Sequence, residues 1–267
     1  MSGGKLYGLI GRNVENSLSP VIHNALFKRY GIDAFYTKIS SDSIGNAMKK
    51  VKELDFKGIN ITMPYKEQVI SYLDELRGDA EIIRVVNTVK NEDGRFVGYN
   101  TDGIGALKAL KRFTNLIGKK VLILGGGGAG KSIAYSLSKL AEVTVLDRKE
   151  SRIKEVEKIG VKGGLLNREN LRNLIEEVDI LINATPVGMK GDESLVPGEF
   201  LREDMVVMDI VYAPLQTRLL KDSIERGCIT VDGLWMLVEQ AAESFRIWTG
   251  MEGDSIFMRK VAMEALK

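Results

Sequence analysis

The chain has almost none of the residues that most often carry metal and redox chemistry. Of its 267 residues, Cys228 is the only cysteine and His23 the only histidine. A lone cysteine cannot close an intramolecular disulfide, and no charged start followed by a long apolar run is visible, so a cytoplasmic protein is expected. A lone histidine excludes a multi-histidine metal site, and no metal is expected. Long apolar runs are also missing. The longest stretches are strand-sized and broken by glycine, so none reads as a membrane span. A stripe of basic and aromatic residues that could stack bases is absent, and 38 Lys and Arg nearly balance 36 Asp and Glu. Nucleic acid and other polyanions are therefore not expected as partners.

What is present suits burial: 44% hydrophobic and 28% charged residues over a length that can hold one large domain or two modest ones. The first hundred residues read as strands alternating with helices. Lys5 to Ile10 is a strand ending at Gly11, and Ser19 to Arg29 a helix with Pro20 in its first turn and Gly31 beyond its end. Phe35 to Ile39 reads as a strand, Ser43 to Leu54 as a helix and Gly58 to Ile61 as a strand, an order that makes a mostly parallel sheet. Val85 to Val89 and Arg95 to Tyr99 flank Glu92-Asp93-Gly94, a hairpin signal that predicts an antiparallel edge to that sheet.

After a helix from Gly103 to Phe113 the pattern restarts. Val121-Leu122-Ile123-Leu124 runs into a glycine cluster and an apolar helix, and strands follow at Glu142 to Leu146, Asp179 to Asn183 and Val206 to Ile210. These are the parts of a doubly wound, Rossmann-like sheet. The predicted organisation is a first domain over 1–102, a dinucleotide domain over 103–234, and helices over 235–267 that return to the first domain.

Gly125, Gly127 and Gly130 form GxGxxG between strand and helix. The first glycine permits a tight turn, the second lets backbone approach a pyrophosphate, and the third lets helix and strand pack closely. The phosphates would meet free amides at the helix N-terminus. Lys131-Ser132 raises a nucleoside-triphosphate reading, which is set aside on spacing: counted from Gly126, three residues precede the Gly-Lys pair where that loop has four. Asp147-Arg148-Lys149 closes the next strand. Its acid suits the ribose hydroxyls of NAD and its cations the extra phosphate of NADP, and both readings stand on these residues alone.

Four polar segments fall where strands of the first domain should end: Asn16 to Pro20, Asn60 to Lys66, Val86 to Thr88 and Asn100 to Asp102. In α/β proteins ligands gather at the carboxyl ends of strands. Ser17 and Ser19 can donate to a carboxylate, Asn87 and Asp102 can grip hydroxyls, and Lys66 can share a proton with an oxygen whose carbon receives hydride. Taken singly, Ser19 reads equally well as a cap before Pro20, and Asp102 as a cap on the following helix. His23, on the first helix, is the rival base but is ranked below the Lys66 and Asp102 pair.

On these residues the chain resembles the shikimate dehydrogenases. The matching segments are NSLSPVIHN (Asn16 to Asn24), NITMPYK (Asn60 to Lys66), VNT (Val86 to Thr88), NTDG (Asn100 to Gly103), GGGGAGKS (Gly125 to Ser132), NATPVGM (Asn183 to Met189), DIVYAPLQT (Asp209 to Thr217) and DGLWMLVEQAA (Asp232 to Ala242). They lie in order across both domains. The resemblance implies reversible reduction of 3-dehydroshikimate to shikimate, on the route to chorismate and the aromatic amino acids, with NADP preferred to NAD. It implies Lys66 and Asp102 as the catalytic pair, and Ser17, Ser19, Thr62, Asn87, Asp102, Tyr212 and Gln240 as substrate ligands. It further implies Gly125, Gly127, Gly128, Ala129, Gly130, Asp147, Arg148, Lys149, Thr185 and Gly233 around the cofactor, in a monomer or homodimer.

Two departures stand out. The family commonly has Asn-Arg-Thr where this chain has Asp147-Arg148-Lys149, and Gly-Leu-Gly where it has Gly233-Leu234-Trp235. Trp235 is read as packing either under the cofactor or at the domain interface. The other readings are a quinate/shikimate dehydrogenase using NAD and a catalytically inactive dinucleotide-binding protein.

Overall fold

The computed structural model describes residues 4–266. Its contacts divide the chain into two units, one running to Thr101 and resuming at Gln240, the other spanning Asp102–Glu239. The first contains β1 (Lys5–Gly11), α1 (Ser19–Arg29), β2 (Ala34–Ser40), α2 (Ile44–Glu53), β3 (Gly58–Ile61), β4 (Glu75–Leu76), α3 (Asp79–Ile83), β5 (Thr88–Glu92) and β6 (Arg95–Tyr99). The second contains α4 (Asp102–Lys111), β7 (Lys120–Leu124), α5 (Gly128–Ser138), β8 (Glu142–Asp147), α6 (Glu150–Glu157), β9 (Lys162–Leu165), α7 (Arg168–Ile175), β10 (Ile180–Asn183), β11 (Val206–Asp209), α8 (Arg218–Glu225) and β12 (Ile229–Val231). Helix α9 (Gly233–Thr249) begins in the second unit and ends in the first, which α10 (Ser255–Ala265) completes.

The sheet of the first unit has the order β2-β1-β3-β5-β6-β4. Only β5 runs against its neighbours β3 and β6, while β4 closes the far side parallel to β6. The antiparallel element predicted as an edge is therefore internal. The hairpin forms as expected, with Asp93 and Gly94 both at positive φ, of 52° and 92°. The edge beyond it is the two-residue β4, too short to leave a periodic trace. Strand β5 also starts later than predicted, because the Val86 and Asn87 amides donate to the carbonyls of Lys66 and Tyr99. Antiparallel β5 enters the sheet at the end where β3 and β6 leave it. That brings the Val86-Asn87 segment level with the polar loops that follow β3 and β6.

Helix α1 buries Ile22, His23, Leu26 and Phe27, the one-and-four spacing of a single helix face. Helix α10, capped by Asp254 accepting from the Phe257 amide, packs on α1. On α9, Trp248 donates its indole N–H to the Val89 carbonyl at 3.0 Å and packs against Gly58.

In the second unit the order is β12-β11-β10-β7-β8-β9, all parallel. Successive residues of β7 feed opposite cores: Val121 and Ile123 join Ala106, Ile133 and Ile180 on one face, while Leu122 and Leu124 join Leu171, Leu181 and Val207 on the other. A sheet covered on both faces reads as a continuous apolar run, as this one does. Strands β9 and β12 were not anticipated. The former is Lys-Gly-Gly-Leu and the latter three residues long, so neither carries a strand signature. No helix among the described residues is long and apolar enough to cross a membrane.

A Cβ at Gly58 would stand 2.4 Å from the Trp248 indole nitrogen. Gly58→Ala is expected to displace the indole and cost about 1–3 kcal/mol of stability, as overpacking in a filled core does. Thermal unfolding followed by circular dichroism checks this, and an unchanged midpoint would show that α9 yields without penalty.

Candidate functional site

The polar loops of the first unit meet through one buried hydrogen-bonded chain. Ser17 Oγ donates to Ser19 Oγ at 3.2 Å and also accepts the Ser19 amide. Ser19 is the first residue of α1, but its side chain caps nothing there. The cap reading of Ser19 is thus set aside: the hydroxyl bonds Tyr36 instead. Burial raises the Tyr36 phenol well above its ordinary range, an effect that the Ser19 bond opposes, so Tyr36 remains a neutral O–H donor. That donor meets Asn60 Oδ1 at 2.8 Å.

Asn60 Nδ2 lies within 3.0–3.1 Å of the Asn87 carbonyl, Thr88 Oγ1 and Ser244 Oγ. Asn87 then uses both ends of its amide. Its Oδ1 accepts the Thr101 amide at 2.7 Å, while its Nδ2 donates to Thr101 Oγ1 at 2.9 Å and approaches Gln240 Oε1 at 3.4 Å. Asn87 and Gln240, far apart in sequence, thus share one pocket of polar atoms. Asn60, Thr88 and Thr101 fall within the predicted polar segments without individual roles, whereas Tyr36 and Ser244 were not singled out at all. A buried Asn in a strand and a Ser on an apolar helix face were the available signals.

Thr62 follows β3, its amide donating to the Ile10 carbonyl. Its methyl lies where a Cβ on Gly11 would be, so the glycine ending β1 is what admits it. Lys66 lies half-buried on the same loop, its carbonyl accepting the Val86 amide at 2.8 Å and its neighbour Tyr65 anchored to the Ser41 carbonyl. Asp102 opens α4 directly after Thr101 and is buried. Behind it, Gly103 lets α4 approach α5, since a Cβ there would stand 2.5 Å from the Ser132 carbonyl.

His23 is completely buried, stacked on Tyr36 with ring centroids 4.6 Å apart, and neither ring nitrogen has a hydrogen-bond partner. Burial pushes its pKa down to about 3. It is a neutral core residue, which removes it as a candidate base.

In the second unit the glycine loop joins β7 to α5. Gly125 has φ of +101°, and a Cβ on Gly130 would stand 1.8 Å from the Gly125 carbonyl, so neither position accepts a side chain. Gly127 precedes the helix in extended conformation, and Gly128, Ala129 and Gly130 form its first turn. Thr185, held by Asn183 through its amide and hydroxyl, lies against Gly125. These residues stand at the carboxyl ends of β7 and β10, the point where a doubly wound sheet changes direction and binds ligands.

Asp147 is buried with both oxygens engaged. Oδ2 accepts the Gly126 amide at 2.7 Å and Oδ1 the Lys149 amide at 2.8 Å. Arg148 and Lys149 are exposed. Arg152, one turn into α6 and not anticipated, lays its guanidinium 3.5 Å from Asp147 Oδ2 and beside Gly127.

Counted from Gly125, four residues do precede Gly130-Lys131-Ser132, so spacing alone does not exclude the triphosphate reading. The geometry disfavours it: Lys131 is buried with its ammonium 3.6 Å from Glu155 on α6. Gly233 opens α9 against the Ile210 carbonyl, and Tyr212 lies half-buried just beyond β11. Trp235 packs under the Arg112 guanidinium, 4.3 Å from its ring centroid, and edge-on to Phe113. Arg112 is held in turn by Glu239, so this end of α9 is clamped on α4.

Comparison with known proteins places these features in one family. Residues 9–89 match the shikimate dehydrogenase substrate binding domain, 107–192 the shikimate / quinate 5-dehydrogenase model and 233–267 the shikimate 5'-dehydrogenase C-terminal domain. The shikimate dehydrogenase (NADP(+)) of Pyrococcus abyssi is 55% identical over 262 residues, covering 98% of each chain. A crystal structure of a shikimate dehydrogenase in complex with NADP+ superposes with a TM-score of 0.92 at 39% identity, covering 100% of this chain and 97% of that one. Shikimate 5-dehydrogenase from Thermus thermophilus, in complex with NADP(H) and shikimate, gives 0.89 at 34% identity, covering 98% and 99%.

The buried histidine sets a pH dependence. An unfolded histidine titrates near 6.5 and the folded one near about 3, so between these values the unfolded chain binds the extra proton. Stability should fall as pH drops below 6.5, by up to about 1.4 kcal/mol per pH unit. Denaturant midpoints measured between about pH 7 and about pH 4 should fall more steeply for the parent chain than for His23→Leu. Parallel curves would refute the assignment.

Proposed function

This chain belongs to the shikimate dehydrogenase family, and we propose that it interconverts 3-dehydroshikimate and shikimate with NADP, using Lys66 and Asp102 as its proton-transfer pair. The Asn87 cluster is the observation that carries the reading. A polyhydroxylated acid needs donors and acceptors at fixed positions, and Asn87 and Thr101 are pinned by one another in a buried setting with the half-buried Gln240 beside them. Ser17 and Ser19 supply neutral donors for the carboxylate, with Tyr212 assigned to the same group. Thr62, Asn87, Asp102 and Gln240 take the ring hydroxyls.

The second unit fits a dinucleotide. Gly125 and Gly130 make the tight turn and the close start of α5, and the free amides of α5 lie beyond them. Gly127, Gly128 and Ala129 complete that cradle, Thr185 lines it, and Gly233 keeps side-chain bulk from the start of α9. Arg148, Lys149 and Arg152 hold the 2′-phosphate. When bound, NADPH supplies the hydride for the ketone carbon.

Lys66 Nζ gives a proton to the ketone oxygen during reduction and takes it back during oxidation. Asp102 orients Lys66 and accepts from the neighbouring hydroxyl. Thr101, fixed on Asn87, immediately precedes Asp102 and so anchors that carboxylate's backbone. The single cysteine supports a cytoplasmic location.

Purified protein with 3-dehydroshikimate should oxidise NADPH faster than NADH, and Lys66→Ala should lower turnover at saturating substrate by about a hundredfold or more. Binding without turnover in the parent chain would sink the catalytic reading. Arg152→Ala should weaken NADPH binding by about tenfold or more, the worth of a charge-assisted phosphate contact, and leave NADH binding unchanged. Cofactor fluorescence titration measures both, and equal losses would instead make Arg152 a prop of the glycine loop.

A further inference from the structure

Three residues of α9, one turn apart, touch the sheet of the first unit in sequence. Gln240 reaches Asn87 and Thr101, Ser244 reaches Asn60, Thr88 and Thr101, and Trp248 reaches Val89 and Gly58. We propose that Ser244 is a positioning residue for substrate binding: it sets the height of α9 on the sheet and thereby the place of the Gln240 amide.

Ser244 is fully buried, and its hydroxyl is the point on α9 where the polar chain converges. Asn60 Nδ2 lies 3.1 Å away, Thr88 Oγ1 2.8 Å and Thr101 Oγ1 3.2 Å. The hydroxyl also donates to the Gln240 carbonyl, one turn back, at 3.0 Å. Ser244 therefore holds the backbone of Gln240 and the same threonine that Gln240 Oε1 meets at 3.3 Å. The contacts of the Gln240 amide to Asn87 and Thr101 are both longer than 3.2 Å. The place of that amide follows the place of the turn that carries it, which Ser244 holds through the Gln240 carbonyl. The indole of Trp248 anchors α9 two turns from Gln240. Between these two points Ser244 supplies directional bonds to Asn60, Thr88 and Thr101.

The proposal rests on the reading of Gln240 as a substrate ligand. Removing the hydroxyl leaves Asn60, Thr88 and Thr101 short of a partner inside the core. Ser244→Ala should therefore lower stability as well as binding, and the two effects must be separated. Shikimate affinity, measured by isothermal titration calorimetry in parent, Ser244→Ala, Gln240→Ala and the double variant, makes that separation.

Ser244→Ala is expected to weaken shikimate binding by about tenfold with NADP+ affinity unchanged. In the Gln240→Ala background the same substitution should cost little further affinity, because the group it positions is gone. Its effect on the unfolding midpoint should persist in both backgrounds. Ser244→Cys, which keeps a weak donor and acceptor, should fall between and substitutes for the alanine variant if that one does not fold. An equal loss of affinity in both backgrounds would overturn the proposal while leaving Gln240 a ligand. Unchanged affinity in Gln240→Ala itself would overturn the ligand reading and the proposal with it.

Discussion

A carboxamide buried in the middle of a sheet has to find partners for every polar atom, and Asn60 imposes that demand on the first unit. Its position on β3 requires an O–H donor on one side, met by Tyr36, and acceptors on the other, met by Asn87, Thr88 and Ser244. An unmet buried group costs about 1–3 kcal/mol, so the segments that supply the partners are held in register by the need to satisfy it. Those segments are β2, the start of β5 and α9, and they bring the serine pair and the Asn87 cluster into fixed relation. His23 adds the apolar counterpart, a neutral ring stacked on Tyr36 that closes the far side of the phenol.

The second unit solves a different problem by removing side chains. The glycine loop turns too tightly for Cβ atoms, and Gly125 and Gly130 meet backbone and Thr185 at distances no larger residue could accept. Thr185, itself held by Asn183, then braces the loop from β10. The clamp of Arg112 on Trp235 and Glu239 fixes the start of α9 to α4, while the polar stripe of Gln240, Ser244 and Trp248 fixes its later turns to the other sheet.

Much of this was legible from pattern. Long apolar strands, the glycine spacing and helix ends marked by Pro20 and Gly31 leave traces within a few residues, so β1, β3, β7, α1 and α5 are read nearly to their ends. The elements that were missed depend on tertiary pairing. Strand β4 is two residues long, β9 carries two glycines, and both exist because a neighbouring strand offers a free edge. The same division holds for the site. Ser17, Lys66 and Asn87 stand in recognisable motifs, whereas Ser244 sits on an apolar helix face and acquires its meaning only from Asn60, 184 residues away. Tyr36, on β2, is likewise a core aromatic until its hydroxyl is followed to Asn60.

Asp147 shows why residue identity alone misleads about cofactor choice. An acid at the end of the second strand of a dinucleotide fold suggests a ribose acceptor and hence NAD. Here each carboxylate oxygen already accepts a backbone amide, Gly126 on one side and Lys149 on the other. The charge that would repel a 2′-phosphate is thus turned into the loop and countered by Arg152 at 3.5 Å. With the acid so occupied, the exposed Arg148 and Lys149 are free of its charge, as the proposed contact to the extra phosphate of NADP requires. The same residue that argues for NAD in the sequence is, in the fold, a brace of the glycine loop through the Gly126 amide.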